Sequence, residues 1–194
     1  MVQLDSEPEL EVGAPAPGFS LPGADGETHS LASFTDVDAV VVVFTCNHCP
    51  YAKAKVDTLN AIAADYDRVA VVGINPNDAD EYPADSMARM QALVADGTIQ
   101  YDAYLRDATQ ATARAYGATC TPDPFLLRTA DTDDDAAFRV AYHGRLDDAL
   151  GPDEDPTRDG GDMRDAIDAV LAGDPVETAF LPSRGCSIKW TDGE

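Results

Sequence analysis

The stretch VVVFTCNHCPYAKAK, residues 41–55, decides the fold class of this chain. The valines at residues 40–43 and the phenylalanine behind them predict a strand that is buried on both faces. A helix is predicted from residue 47 to about residue 66, because apolar residues recur every three or four positions, at Ala52, Val56, Leu59, Ala63 and Tyr66. The two cysteines of the stretch therefore lie where a buried strand gives way to a helix.

The rest of the chain alternates strands with helices. A hairpin is predicted within residues 15–31, further strands at residues 38–45, 68–75, 124–130 and 138–144, and helices at residues 87–94, 108–117 and 162–171. An acidic turn at residues 131–135 joins the last two strands. This alternation predicts an α/β fold with a central mixed β-sheet flanked by helices. We expect one domain over residues 1–194, with an N-terminal hairpin extension at residues 1–34 and a C-terminal tail at residues 175–194.

The charge of the chain is extreme for its length. Asp and Glu number 36 against 13 Lys and Arg, which gives a formal net charge of −23. A field of this sign repels phosphate backbones and anionic membrane surfaces, so the sequence predicts neither nucleic acid nor membrane as a partner. Because molar salt shortens the Debye length to about 3 Å, so acidic a surface is typical of a protein from a halophile.

The sequence shows no membrane or export signal. No apolar run reaches the length of a membrane-spanning helix. Residues 1–19 are acidic and lack the basic start and apolar core of a signal peptide, so we expect a cytoplasmic protein. In that compartment cysteines are more often catalytic or metal-binding than structural. The chain has four of them, at Cys46, Cys49, Cys120 and Cys186.

The position of Cys46 and Cys49 favours redox chemistry. Unpaired N–H groups at the start of a helix stabilise a thiolate, and His48 adds positive charge when it is protonated. We expect Cys46 to be exposed and acidic, and Cys49 to be a shielded, ordinary thiol. Lys53 and Lys55 either help to keep the thiolate charged or face solvent by chance.

Three segments resemble the thioredoxin superfamily, and more narrowly its redoxin branch (the alkyl hydroperoxide reductase and thiol-specific antioxidant group). They are PAPGFSLPGADGE at residues 15–27, FTCNHCPY at residues 44–51 and YGATCTPDPFLL at residues 116–127. The C-terminal PSRGCSIKW, residues 182–190, is similar to the tail of redoxin-like proteins that share the Cys-Asn-His-Cys-Pro signature. The resemblance implies a thioredoxin-like fold.

The resemblance also implies a thiol–disulfide oxidoreductase that needs no cofactor. Cys46 would attack a protein or small-molecule disulfide, Cys49 would resolve the mixed disulfide, and a thioredoxin- or reductase-type electron donor would reduce the resulting bridge. Thr45, Thr121 and Pro122 would contact the substrate, with Pro122 as a cis-proline. The histidine directly before the second cysteine resembles oxidising members of the superfamily, which implies a more oxidising pair than that of thioredoxin. The sequence does not indicate an oligomeric state.

A peroxiredoxin-like thiol peroxidase is the second interpretation. Peroxiredoxins carry Pro-x-x-x-Thr-x-x-Cys, whereas the matching positions before Cys46 hold Ala39 and Val43. Two further departures concern the thioredoxin pattern. The tryptophan that often precedes the first cysteine is Thr45, and the buried acid of the preceding strand falls on Val40.

A metal-binding protein or metallochaperone is the third interpretation. Cys46, His48, Cys49 and Cys120 could surround a soft ion. The chain has no second Cys-x-x-Cys, and the side chains of His48 and Cys49 would diverge on a helix, so no metal is predicted.

The remaining cysteines and histidines have weaker assignments. Cys120 is expected to be a small buried hydrophobe rather than a third redox thiol. Cys186 is a further candidate thiol on the tail, where Trp190 is expected to act as an anchor. His29 and His143 have no visible partners and are expected to be surface or structural residues.

Overall fold

The computed structural model describes residues 2–130 and 137–191, so the predicted acidic turn at residues 131–135 lies outside the described residues. The strands are β1 (Gln3–Asp5), β2 (Ser20–Pro22), β3 (Thr28–Ser30), β4 (Ala39–Phe44), β5 (Val69–Asn75), β6 (Ala103–Arg106), β7 (Cys120–Thr121), β8 (Asp123–Thr129), β9 (Phe138–Gly144), β10 (Phe180–Leu181) and β11 (Arg184–Ser187). The helices are α1 (Pro50–Ala54), α2 (Val56–Asp65), α3 (Met87–Ala95), α4 (Ala111–Tyr116) and α5 (Gly161–Ala172). No helix in the described part of the chain is both long and apolar enough to cross a membrane.

A six-stranded sheet forms the centre of the fold, with the strand order β10-β9-β8-β4-β5-β6. Strands β4, β5 and β6 run parallel to one another. Strand β8 is antiparallel to both of its neighbours, β4 and β9. The predicted fold class, a mixed sheet flanked by helices, is therefore confirmed.

Strand β4 is buried on both faces, as its apolar run predicts. Val40, Val42 and Phe44 pack into a core that also holds side chains from β2 and α4. The residues between them, among them Val41 and Val43, pack into a second core with α2 and α5. The two cores together hold the end of β4, where the loop that carries the cysteines begins.

The helix predicted at residues 47–66 is in fact two helices, and the first begins later than expected. Cys49 has an extended backbone, with φ −72° and ψ 127°, and Pro50 takes the first helical position of α1. Proline is favoured there because it has no N–H to leave unpaired. Lys55, with φ −104° and ψ 3°, separates α1 from α2. The cysteines thus lie in a strand-to-helix junction, as predicted, but before the helix rather than within it.

A second sheet of three strands has the order β1-β11-β7. Strand β11 runs antiparallel to both neighbours. Gly185 is required in β11, since a Cβ at this position would lie 2.1 Å from the carbonyl oxygen of Thr121. Part of the segment expected as a C-terminal tail is therefore a strand that closes against β7.

Candidate active site

Cys46 and Cys49 lie in the loop that joins β4 to α1. At the start of this loop, the N–H of Thr45 donates to the carbonyl of Ile74 on β5 at 2.9 Å. At its end, the carbonyl of Cys49 accepts the N–H of Lys53 in α1 at 3.0 Å. Both cysteines are therefore held between two regular elements.

Thr121 contacts both cysteine sulfurs. Its Oγ1 lies 3.1 Å from Cys46 Sγ, and its carbonyl oxygen lies 3.3 Å from Cys49 Sγ, which donates to it when Cys49 is a thiol. The Thr121–Pro122 peptide bond is cis, as the resemblance implied. The structure thus brings the predicted pair of cysteines next to Thr121 and Pro122, and the substrate contact assigned to these two residues stays a prediction.

The expectation that Cys46 is exposed is wrong. Only 3% of Cys46 and none of Cys49 is accessible to solvent. Both pack in a small cluster with Cys186, and Tyr51 lies against this cluster. Thr45 and Thr121 are also buried, so the substrate contacts predicted for them have no open surface in this conformation.

The pKa values of the two cysteines are shifted in the directions opposite to those expected. The hydrogen bond between them, burial and the nearby Asp85 carboxylate all raise the pKa of Cys46. The same hydrogen bond lowers the pKa of Cys49 to about 5, with further donors from Cys186 and from the backbone of Ala52. The prediction of an acidic Cys46 and an ordinary Cys49 is therefore corrected. These shifts favour the negative charge on Cys49 and the proton on Cys46 in the reduced protein.

Asp85 holds His48 in place, a contact that the sequence did not indicate. Asp85 Oδ2 lies 2.6 Å from His48 Nδ1, and Asp85 Oδ1 accepts the N–H of Asn47 at 2.7 Å. Burial acts to raise the pKa of Asp85, but the hydrogen bonds from His48, Asn47 and Asn77 outweigh it and lower this pKa. Asp85 is therefore ionised at neutral pH. The His48 ring also stacks on Tyr82, with the ring centroids 4.8 Å apart.

The signal for Asp85 in the sequence is faint, because acidic residues are common throughout this chain. It lies in a loop at residues 76–86 that carries three other acids. The one distinguishing sign is a pair of asparagines at the end of a buried strand. Asn75 and Asn77 both donate to the Asp85 carboxylate, at 3.2 Å and 3.0 Å.

The structure brings together a different group of potential metal ligands from the group considered from the sequence. The sulfur of Cys46, a ring nitrogen of His48 and a carboxylate oxygen of Asp85 lie within 4.8 Å of one another. Each Asp85 oxygen, however, already accepts two hydrogen bonds, from Asn47 and Asn75 on one side and from His48 and Asn77 on the other. These bonds occupy the lone pairs that a cation would need, so we derive no metal site from this group.

The sequence left open whether Lys53 and Lys55 support the thiolate or face solvent. Lys55 Nζ forms an ion pair with the buried carboxylate of Asp147 at 2.5 Å, so its charge is matched by a partner of its own. Lys53 is exposed on α1. The hydrogen bonds from Cys46, Cys186 and Ala52 explain the thiolate at Cys49 without either lysine.

Cys120 and Cys186 differ in their relation to the pair. Cys186 packs directly against Cys46 and Cys49. Cys120 is fully buried outside this cluster, and burial raises its pKa. The expected packing of Cys120 as a buried residue is confirmed, and its lack of a redox role stays a prediction.

His143 is not a surface residue, and both remaining histidines have partners. His143 is buried, its Nε2 lies 2.8 Å from Asp123 Oδ1, and its ring stacks on Phe125 at 3.9 Å. His29 pairs with Asp25 at 2.7 Å. Burial raises the pKa of Asp123, which directly follows the cis-proline. Because Asp123 is next to Pro122 in the chain, the buried His143–Asp123 pair helps to hold the segment that contacts the two cysteines.

Comparison with known proteins places this site in context. A model of the AhpC/TSA family matches residues 12–135. An uncharacterised conserved protein from Geobacillus kaustophilus has a crystal structure that superimposes with a TM-score of 0.89, at 36% identity over 100% of this chain and 99% of that chain. A hypothetical protein from Sinorhizobium meliloti 1021 superimposes with a TM-score of 0.85, at 42% identity over 97% of this chain and 99% of that chain.

A more distant structure supports the fold alone. A protein from Chlorobium tepidum that is described as a thiol:disulfide interchange protein, DsbE, has a TM-score of 0.61 at 23% identity, over 84% of this chain and 99% of that chain. No curated protein matches the sequence. The thioredoxin-like fold expected from the resemblance is therefore confirmed.

Proposed function

Because this chain belongs to the AhpC/TSA family, we propose that it is a thiol–disulfide oxidoreductase whose redox pair is Cys46 and Cys49. One observation carries the proposal. The two sulfurs are hydrogen-bonded to each other in the strand-to-helix loop, and both lie against Thr121. Two thiols in such contact can close a disulfide with little movement of the backbone. We expect the partners to be protein or small-molecule disulfides, with a dithiol reductant as electron donor.

In the proposed reaction, Cys46 is the attacking thiol, because this residue keeps 3% exposure whereas Cys49 is fully buried. Its Sγ bonds to one sulfur of the substrate disulfide, and the other substrate sulfur leaves and takes up a proton. Cys49 then attacks Cys46 Sγ, which forms the Cys46–Cys49 bond and releases the second substrate thiol. The substrate gains two electrons from the protein and two protons, one from the reduced pair and one from solvent, because Cys49 is already a thiolate.

Cys46 must lose its proton before it attacks. The hydrogen bond between the sulfurs offers a direct route for this proton to the Cys49 thiolate. His48 offers a second route, since one of its ring nitrogens lies within 4.8 Å of Cys46 Sγ. Asp85 acts as a positioning residue, because it fixes the His48 ring through Nδ1.

A thiol peroxidase is the second candidate, and membership of the AhpC/TSA family favours it. The hydroxyl of Thr121 lies 3.1 Å from Cys46 Sγ and could contact a peroxide bound there. The threonine of the peroxiredoxin motif is absent before Cys46, however, since that position holds Val43. Consumption of hydrogen peroxide with a thiol donor, measured beside insulin-disulfide reduction, separates the two activities.

Single cysteine variants test the proposed roles. Cys46→Ser should abolish insulin reduction, whereas Cys49→Ser should trap a mixed disulfide between Cys46 and the substrate. The matched control is Cys120→Ala, which should cost about 1 kcal/mol of stability and leave turnover nearly intact. A mixed disulfide trapped only in Cys46→Ser would reverse the roles. Full activity in both serine variants would show that this is not a dithiol enzyme.

A further inference from the structure

The C-terminal strand β11 lies directly on the proposed active site. It pairs with β7 so that Cys186 is opposite Thr121 and Ser187 is opposite Cys120. Just before it, Ser183 Oγ donates to the carbonyl oxygen of Pro122 at 2.8 Å. The backbone edge of the segment that contacts the cysteine pair is therefore occupied by the chain's own C-terminal strand.

The pairing of β11 with β7 puts Cys186 on the face of the sheet that contacts the cysteine pair and leaves Cys120 on the other face. Paired residues on adjacent strands share a face, and successive residues alternate between faces. Cys186 therefore shares the face of Thr121, whose hydroxyl contacts Cys46. Cys120 points to the other face, where its Sγ lies 3.7 Å from the Pro122 carbonyl oxygen.

Cys186 contacts Cys49 through two groups. Its thiol and its backbone N–H both donate hydrogen bonds to Cys49 Sγ. Burial is the main cause that raises the pKa of Cys186 to about 12, so it remains a thiol and a donor at neutral pH. Cys46, Cys49 and Cys186 form one buried cluster of three thiols.

Gly185 makes this contact possible. A side chain at Gly185 would collide with the backbone of Thr121, so only glycine lets β11 approach β7 this closely. The strand is also tied to β1, where Gln3 is opposite Cys186. The pairing of β11 with β1 and β7 therefore holds Cys186 in contact with Cys49.

We propose that Cys186 is the third thiol of a relay with Cys46 and Cys49, and that it accepts the disulfide which these two cysteines form. This inference rests on the proposed function. Cys186 Sγ attacks Cys49 Sγ, the Cys46–Cys49 bond breaks and the Cys49–Cys186 bond forms. The electron pair of the broken bond leaves with Cys46, which takes up the proton that Cys186 loses. The step is an exchange within the protein and requires no further oxidant.

The relay returns Cys46 to its reduced form before an electron donor acts. The oxidised bond then joins the loop before α1 to β11, and it no longer includes Cys46, the sulfur that attacks the substrate. The hydrogen bond to Cys49 is the largest cause that raises the pKa of Cys46 in the reduced pair, and it is lost once Cys49 is bonded to Cys186. Burial and the Asp85 carboxylate remain and also raise this pKa, so Cys46 is suited to receive the proton. Electron donors would accordingly reduce a bond that involves the C-terminal strand.

Disulfide mapping of variants tests the relay. Wild type, Cys46→Ala and Cys46→Ala/Cys186→Ala are incubated with oxidised glutathione, their free thiols are blocked, and disulfide-linked peptides are identified by mass spectrometry. In Cys46→Ala, glutathione should first bond to Cys49 and then be displaced by Cys186. The Cys49–Cys186 peptide pair should exceed the Cys49–Cys120 pair by about ten-fold or more, since Cys186 packs in one cluster with Cys49 and Cys120 lies outside it. The double variant should keep glutathione on Cys49.

The same experiment separates failure of the relay from failure of the proposed function. If wild type forms the Cys46–Cys49 bond while Cys46→Ala forms no Cys49–Cys186 bond, the relay is overturned, whether Cys49 stays free or stays bound to glutathione. If wild type forms neither a Cys46–Cys49 bond nor a Cys49–Cys186 bond, the proposed function fails and the relay fails with it. Cys46→Ser gives the same readout if Cys46→Ala does not fold.

Discussion

At the scale of single residues, the charge on Cys49 depends on its neighbour Cys46. The hydrogen bond from Cys46 is the main cause that lowers the pKa of Cys49 to about 5. Because this bond stabilises the charged form, its removal in Cys46→Ala should raise the pKa of Cys49. Thiolate absorbance followed against pH should show wild type keeping one thiolate down to about pH 5, and Cys46→Ala losing it at a higher pH. Cys120→Ala is the matched control and should titrate like wild type.

One result of the Cys46→Ala titration would contradict the hydrogen bond between the two sulfurs. A pKa in Cys46→Ala that equals that of wild type would mean that the sulfurs do not share a proton. The low pKa of Cys49 would then come from Cys186 and the backbone alone.

Residue types could be predicted at this scale, but their electrostatics could not. Cys46, His48 and Cys49 were found because a short motif between a strand and a helix identifies them. The predicted distribution of the proton within the pair is wrong, because it depends on the hydrogen bond between the sulfurs, on the burial of Cys46 and on the Asp85 carboxylate. Asp85 lies in a loop that is far from the cysteines in the sequence. The chain has 36 acidic residues, and the residue type alone does not distinguish Asp85 from the others.

At the scale of elements, strand β11 depends on a glycine. Gly185→Ala should push β11 away from β7, because the added Cβ would lie 2.1 Å from the Thr121 carbonyl oxygen. We expect a loss of roughly 1–3 kcal/mol in the free energy of unfolding, typical of overpacking. The pKa of Cys49 should also rise, since the donors of Cys186 withdraw.

Denaturant unfolding and thiolate titration measure these two effects. Gly18→Ala is the matched control, because an added Cβ there meets nothing within 4 Å. If Gly185→Ala behaves like Gly18→Ala in both measurements, β11 does not hold Cys186 against Cys49.

Long apolar elements could be predicted from the sequence, and so could the short hairpin of β2 and β3, which a turn joins, but strand β11 could not. Strand β4 follows from its run of valines, and the junction after it from the change in periodicity. Strand β11 has four residues, one of them a glycine, and its partners β1 and β7 lie far away in the chain. No local pattern marks such a strand, so it was expected as part of a tail. The break at Lys55 was missed for the related reason that the apolar spacing continues across it.

At the scale of the whole molecule, we expect the net charge of −23 to make the stability of the fold depend on salt. We propose that the acidic surface is an adaptation to molar salt. Screening weakens repulsion between exposed carboxylates, while the two apolar cores are affected less. The melting temperature should therefore rise steeply between dilute buffer and molar KCl, as followed by circular dichroism. A melting temperature that stays constant across this range would exclude the adaptation.

The central claim is that Cys46 and Cys49 exchange a disulfide with a substrate. A redox titration of the wild-type protein against glutathione, followed by thiol blocking and peptide mapping, tests it most directly. The thiolate at Cys49 is stabilised by its hydrogen bonds, which favours the reduced state. We therefore expect a reversible Cys46–Cys49 bond whose potential is less negative than the roughly −270 mV of thioredoxin. If Cys46 and Cys49 both remain free thiols at every glutathione ratio, the account is contradicted.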